Sequence, residues 1–134
     1  MKLQHTHKLI LLLIFLVVTS TNALAADDPS IKGDLRTNIQ QSMNQYIQNQ
    51  TINGAMYVFD AVKGDLLKLQ LKELHSGIVK KGDFYVSCAD FVDQKGRKID
   101  IDFLVRTSDN AFVTTQAFVH SVDGKKRKYH LEKI

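Results

Sequence analysis

The spacing of apolar residues divides the chain into three parts. Apolar residues are contiguous from Leu9 to Val18, recur every three or four positions between Ile31 and Ile47, and alternate with polar residues from Ala55 onward. A spacing of three and four predicts one face of a helix, whereas alternation predicts strands. The sequence therefore predicts a short apolar N-terminal segment, one amphipathic helix and then a series of strands.

The helix is predicted to begin at Asp28-Pro29-Ser30, because Asp or Ser caps the unpaired amides of a first turn and Pro fits within it. It is predicted to end at Asn53-Gly54, where glycine tolerates the left-handed conformation. Most of its polar face consists of uncharged amides, so packing of the apolar stripe must stabilise it. That stripe contains Ile31, Leu35, Ile39, Met43, Tyr46 and Ile47.

Six strands are predicted after the helix, separated by short turns rich in Gly, Asp and Asn. Connections this short cannot hold parallel crossovers, so the strands should form an antiparallel meander. The predicted fold class is α+β, with one long N-terminal amphipathic helix packed on a curved antiparallel meander of five to six strands. The strands are expected at about 55–62, 66–75, 84–91, 98–106, 111–122 and 127–133.

This order of elements resembles cystatin-like folds and the related cone-shaped folds of the nuclear-transport-factor and ketosteroid-isomerase type. The segment Gln50-Thr51-Ile52-Asn53-Gly54 is similar to the Gln-x-Val-x-Gly loop of cystatin protease inhibitors. In those inhibitors the loop follows a strand, whereas here the segment directly ends the helix, which argues against an inhibitory role. The resemblance to the isomerase-type cones implies a pocket on the inner side of the sheet, where an Asp can serve as a base.

The N-terminal segment has the features of a secretory signal. Lys2 and Lys8 precede the apolar run, no acidic residue occurs before Asp27, and Ala23-Leu24-Ala25 provides the small-x-small pattern that signal peptidase requires. The apolar run is too short to cross a bilayer, which takes roughly 20 residues. The sequence predicts a cleavable signal peptide at 1–25, a single cystatin-like domain at 26–134, no transmembrane segment after cleavage, and a periplasmic or secreted location.

Removal of the signal changes the charge and leaves one cysteine. Without Lys2 and Lys8, the 18 basic residues become 16 against 14 acidic residues, a net charge of +2. An exported domain of such low charge is not expected to bind nucleic acid. Because Cys88 is the only cysteine, no internal disulfide can form, and we expect its thiol to be buried and inert.

The fourth strand's pairing can be predicted from its apolar face. If Ile99 and the residues alternating with it face the helix, Phe91 lies opposite Ile99 in the preceding hairpin. Asp90 then lies opposite Asp100, and Cys88 lies opposite Asp102, on the face away from the helix. Side chains directly opposed in this way have β-carbons about 5 Å apart.

The same logic predicts the pairing with the next strand. Setting Val105 opposite Val113 joins apolar residues on the helix side and carries two further polar side chains to the other face. Asp102 then lies opposite Gln116, Asp100 lies opposite Phe118, and His120 lies diagonal to Asp100. The predicted ligand-binding residues are therefore Asp90, Asp100, Asp102, Gln116, His120 and Cys88.

Two interpretations of this polar set remain open. Two facing carboxylates shielded from water raise the pKa of one of them, which suits general acid–base chemistry or a divalent-metal site with oxygen and imidazole ligands. The alternative is the solvated face of an ordinary antiparallel sheet. No catalytic or metal-binding motif is present, so no catalytic residue, metal ligand or cofactor is assigned. His75 and His130 are expected at exposed positions.

Alternate turns of a meander gather at one end of the sheet, and here those turns are basic. Such a rim could contact anionic lipid head groups or an acidic partner weakly, or could simply be solvated. Its predicted members, besides Lys63, are Lys95, Arg97, Lys98, Lys125, Lys126, Arg127 and Lys128.

These features favour a small exported non-enzymatic binding module that engages a small ligand or a protein partner through its sheet face or basic rim. One alternative is a small pocket enzyme, a hydrolase or isomerase, that uses Asp90 or Asp100 with His120. Another is an envelope accessory or inhibitor protein. A closed pocket around the Asp/His set would favour the ligand or enzyme hypotheses, and a flat, wet sheet would favour protein contact.

Overall fold

The structure, a computed structural model, describes residues 26–129. The predicted signal peptide, His130 and the end of the last predicted strand lie outside the described residues. One helix precedes an antiparallel sheet, which confirms the α+β class. The elements are α1 (Gly33–Gln50), β1 (Thr51–Ile52), β2 (Ala55–Asp60), β3 (Asp65–Lys81), β4 (Phe84–Asp93), β5 (Lys98–Ser108), β6 (Ala111–Val122) and β7 (Lys125–Lys126).

Within the described residues the strands form one sheet of seven, arranged in the order in which they occur in the chain. The count exceeds the predicted five to six because the two-residue β1 was not predicted, while the two-residue β7 takes the place of the last predicted strand. Every neighbouring pair is antiparallel, as a meander requires. The sheet is curved, and β2 comes into contact with β6 across the core.

Both predicted helix boundaries were wrong. Asp28 and Ser30 form a turn before the helix, in which the Ser30 N–H donates to Asp28 Oδ1 at 2.9 Å. At the other end the helix stops at Gln50, and Asn53-Gly54 is instead the turn of the β1–β2 hairpin. Its φ values of 51° and 78° are both positive, as the tight turns that suit twisted hairpins require.

The core lies between α1 and one face of the sheet. Ile39, Met43 and Ile47 of the helix are buried, as the apolar stripe predicts. Phe103 of β5 is fully buried and meets the Tyr46 ring edge-on at a centroid distance of 6.0 Å. The helix-facing side of β5 was predicted correctly, since Ile99, Ile101, Phe103 and Val105 are all fully buried.

Strand β6 contains two extra residues relative to β5, at Thr115 and at His120. The first of these bulges reverses the predicted direction of the preceding side chains. Val113 was expected on the helix side, but it lies opposite Arg106 and is 44% exposed. Thr114 points inward in its place, and its hydroxyl lies 2.9 Å from that of Ser42 on the helix.

The third and last predicted strands also need correction. Strand β3 does not end near residue 75 but continues to Lys81, with irregularities between Leu71 and Glu73 and between Leu74 and Ile78. The strand predicted at 127–133 is replaced by the short β7, and residues 127–129 lie outside any strand. In the described part of the chain, no helix is long and apolar enough to span a bilayer.

Candidate functional site

Strands β4 and β5 bring the predicted polar residues together on the face away from the helix. Asp90 lies opposite Asp100, and Cys88 lies opposite Asp102, as the sequence predicts. All four side chains are largely sheltered, since Asp102 is 4% exposed and Cys88 is 9% exposed. The aspartates are therefore not the solvated face of an ordinary sheet.

His120 joins these residues through the second bulge of β6. Its Nδ1 lies 3.0 Å from Asp102 Oδ1 and 3.6 Å from Asp100 Oδ2. Val119 and Val122 both face the core, so the extra residue leaves His120 on the opposite face beside the carboxylates. Bulges commonly re-aim a side chain in this way.

The predicted positions of Gln116 and Phe118 were wrong because Val105 lies opposite Thr114 instead of Val113, and because β6 has an extra residue at Thr115. Asp102 lies opposite Phe118, and Gln116 lies opposite Leu104 at an exposed position. Gln116 is thus separated from the sheltered carboxylates by one step of the strand.

His75 was expected at an exposed loop, and that prediction was also wrong. It lies in the β3 bulge, where Leu74 pairs with Ala89 and Ile78 pairs with Ser87. Its side chain is 23% exposed, with Nδ1 at 2.9 Å from Cys88 Sγ and Nε2 at 3.3 Å from Asp90 Oδ2. We refer to His75, Cys88, Asp90, Asp100, Asp102 and His120 as the outer-face cluster.

The β3 bulge is fixed to its surroundings by several hydrogen bonds. The Ser87 hydroxyl donates to the Gly77 carbonyl at 2.7 Å, and the Arg36 guanidinium donates to the Ser76 carbonyl. The Ile78 N–H donates to Asp27 Oδ1 at 3.1 Å, which links the bulge to the segment before the helix. Because its backbone is tied on both sides, the bulge holds His75 in a defined place.

The three carboxylates of the outer-face cluster differ in their partners. Asp90 pairs with Lys98 at 2.9 Å, and this contact raises the pKa of the lysine. Asp100 has no lysine or arginine partner among the described residues, and its buried Oδ1 accepts no hydrogen bond from them. A buried acceptor without a hydrogen-bond donor lowers the free energy of unfolding by on the order of 1–3 kcal/mol. The carboxylate of Asp100 is therefore the least satisfied member of the cluster.

Burial raises the pKa of the Asp100 carboxyl to about 6. The imidazoles of His120 and His75 oppose this shift, while the neighbouring charges of Asp102 and Asp90 add to it. The sequence-based prediction that one of two facing carboxylates has a raised pKa agrees with this direction. The negative charge of Asp100 is therefore unfavourable in the folded protein.

Replacing Asp100 with asparagine is expected to stabilise the metal-free protein at pH 7 by roughly 1–3 kcal/mol. A carboxyl with a raised pKa in the folded state takes up a proton on folding, so stability falls as the pH rises from about 4 to about 6. Asp100→Asn should lack this fall. Urea unfolding across that pH range, with EDTA present, measures both effects, and an identical pH dependence in the two proteins would contradict them.

The basic turns lie at one end of the meander, but much of their charge is neutralised. Arg97 contacts Asp93 at 2.7 Å, Lys98 contacts Asp90, and Arg127 contacts Asp60. These three are among the seven predicted rim residues, and each pairs with a carboxylate of the sheet. The Lys95, Lys125 and Lys128 side chains are exposed. The rim is therefore less basic than its sequence indicates.

Two surface grooves lie elsewhere. One, of about 510 Å³, lies between the end of the helix and β2–β3 and is lined by Ile47, Met56, Leu69 and other residues. The second, of about 380 Å³, lies between the helix and the β5–β6 turn. Neither contains a member of the outer-face cluster, which is a sheltered polar centre within the sheet face.

Comparison with protein-family models, curated proteins and solved structures finds no match to this chain. The geometry of the outer-face cluster is therefore the basis for the functional argument.

Proposed function

We propose that this chain is an exported, non-enzymatic binding module that binds a small cationic ligand at the outer-face cluster. The observation that carries the proposal is that both histidines reach the cluster through bulges, in strands that flank β4 and β5 on opposite sides. Regular strands would suffice for folding, whereas bulges often occur where a side chain must be re-aimed at a functional site.

The charge of the cluster favours a cation. Three carboxylates face one lysine, Lys98, and two imidazoles that carry a charge only when they are protonated. Since Lys98 neutralises Asp90, Asp100 and Asp102 leave an excess of negative charge in a poorly solvated place. A bound cation would relieve this repulsion, and the relief would contribute to its affinity.

Other hypotheses receive less support. A pocket enzyme needs room for a substrate beside its acid and base, and neither described groove reaches Asp90, Asp100 or His120. Contact through the basic rim is weakened by the ion pairs of Arg97, Lys98 and Arg127. The helix-then-meander order of residues 26–129 supports the cystatin-like arrangement predicted for the domain. The signal peptide predicted at 1–25 would provide its export.

Thermal unfolding with a panel of ligands tests the proposal. The purified protein, freed of metal with EDTA and dialysed, is mixed with divalent cations, spermidine or arginine, and separately with phosphate or citrate. At least one cation should raise the Tm, because a ligand at 100 times its Kd adds about 2.7 kcal/mol of stability. The anions should have no effect.

A matched pair of variants places the ligand. Asp100→Asn should abolish the cation-dependent rise, whereas Asp109→Asn removes the same charge from the exposed β5–β6 turn and should preserve it. If no cation raises the Tm, or if both variants respond like the unaltered protein, the outer-face cluster is not a cation-binding site.

A further inference from the structure

We infer that the ligand of the outer-face cluster is a divalent transition-metal ion of the zinc class, bound by His75 Nδ1, Cys88 Sγ and a carboxylate oxygen of Asp100. This inference deepens the proposed function and rests on it. The three donors come from three adjacent strands, β3, β4 and β5, whose hydrogen-bonded pairing fixes their spacing.

The distances between donors suit one ion. The donor atoms of His75, Cys88 and Asp100 all lie within 4.8 Å of one another, and His75 Nδ1 is 2.9 Å from Cys88 Sγ. Ligands of a tetrahedral zinc ion lie about 3.3–3.6 Å apart, given bonds of about 2.0–2.3 Å. We therefore expect rotations of the three side chains to bring the donors to these separations.

Asp90 supplies the outer contact that metal-binding imidazoles usually have. A histidine that binds a metal through one ring nitrogen generally donates the other N–H to a carboxylate, which fixes the ring and its tautomer. His75 presents Nε2 to Asp90 Oδ2 at 3.3 Å while Nδ1 faces the thiol. Lys98 contacts the same Asp90 oxygen at 2.9 Å and holds that carboxylate in place.

Asp100 supplies a negative charge that a bound cation would neutralise. Its buried Oδ1 accepts no hydrogen bond from the described residues, although such atoms are normally paired. Asp100 also belongs to a second group of close donors, with Asp102 and His120. His120 and Asp102 contact each other at 3.0 Å. We therefore expect these two residues to hold the Asp100 carboxylate in position.

The donor types select the class of metal. Thiolate and imidazole ligands favour zinc and similar transition metals, whereas calcium and magnesium prefer sets made of oxygen alone. The binding step is balanced by a proton: the metal–sulfur bond forms as the thiol S–H bond breaks, and the proton passes to buffer. Asp100 binds as the carboxylate, and His75 binds as the neutral imidazole.

Titration of Zn²⁺ into the purified, metal-free protein tests this inference. Isothermal titration in two buffers of different ionisation enthalpy should give one Zn²⁺ per chain and the release of about one proton or more. Co²⁺ should produce the near-ultraviolet charge-transfer band of a thiolate ligand, and that band should disappear in Cys88→Ser. Thermal unfolding of each variant confirms that it is folded.

The variants should form a graded series. Asp90→Asn removes the outer contact and the ion pair with Lys98 but none of the three ligands, and should weaken Zn²⁺ binding by about 10–100-fold with unchanged stoichiometry. Cys88→Ser, His75→Ala and Asp100→Asn each remove a ligand and should weaken it further. Asp109→Asn should bind like the unaltered protein.

Absence of Zn²⁺ binding, or binding unaffected by Cys88→Ser, overturns the metal inference. If Zn²⁺ does not bind but spermidine or arginine still raises the Tm in an Asp100-dependent manner, the cation-binding function stands and only the inference of a metal ligand is wrong. If no cation of the panel acts through Asp100, both proposals fail.

Discussion

Replacing Arg127 with methionine is expected to destabilise the domain by about 3–5 kcal/mol, because it leaves the charge of Asp60 buried without a partner. The Asp60 side chain is 3% exposed, and Arg127 provides its cationic contact. The carboxylate also accepts a hydrogen bond from the Val62 N–H, which donates to Oδ1 at 3.1 Å. Urea unfolding at pH 7 measures the loss.

A second variant shows whether the uncompensated charge causes this loss. Asp60→Asn combined with Arg127→Met removes both charges and should recover much of the stability, since the introduced amide keeps an acceptor for the Val62 N–H. Arg106→Met is the matched control. Its ion pair with Asp83 is exposed on both sides, so its loss should cost less than about 1 kcal/mol. If Arg127→Met and Arg106→Met lower the free energy of unfolding by the same amount, the ion pair of Asp60 and Arg127 does not behave as a buried ion pair.

Truncating Phe103 to alanine should cost about 3–5 kcal/mol, because the side chain is fully buried and the surrounding core cannot close the cavity. Its ring packs against Tyr46 of the helix and lies 6.4 Å from the ring of Phe91, so the cavity would open between helix and sheet. Phe59→Ala provides the comparison.

Phe59 is 61% exposed on the opposite face of β2, so its truncation should change the unfolding free energy by no more than about 0.5 kcal/mol. Chemical unfolding of both variants under one set of conditions measures the contrast. A cost of less than about 1 kcal/mol for Phe103→Ala would mean that the helix does not depend on this packing.

The parts of the sheet predicted correctly are those in which two strands pair without a bulge, so that each residue lies opposite one residue of the neighbouring strand. The β4–β5 register follows from alternation alone, so the placement of Asp90 opposite Asp100 could be derived from the sequence. The turn at Asn53-Gly54 could not be assigned uniquely, because positive φ values suit both a helix end and a tight hairpin. Local turn chemistry identified the break in the helix but not the hairpin that forms around it.

The two histidines show why the rest of the site escaped prediction. Each lies where its strand contains extra residues, and a single extra residue makes strict alternation assign every later side chain to the wrong face. The sequence nevertheless contained a signal of an inserted residue, because the alternation of inward-facing residues changes phase within a strand. Leu69 and Leu74 both contact the core although they are an odd number of positions apart, as are Val119 and Val122. In β6 this change of phase marks the bulge that contains His120. In β3 it marks the irregularity between Leu71 and Glu73, whereas the bulge that contains His75 adds two residues and leaves the phase unchanged.

Because the sheet follows the order of the chain, each strand pairs with the one that has just preceded it, and long loops need not close between them. The helix is the exception. It comes first in the described chain yet packs most extensively on β6, and Ser42 meets Thr114 across 72 positions. During synthesis the apolar stripe of α1 therefore emerges well before its partner strand exists. A growing chain must keep that stripe from other surfaces, and sequences truncated before β6 should expose it.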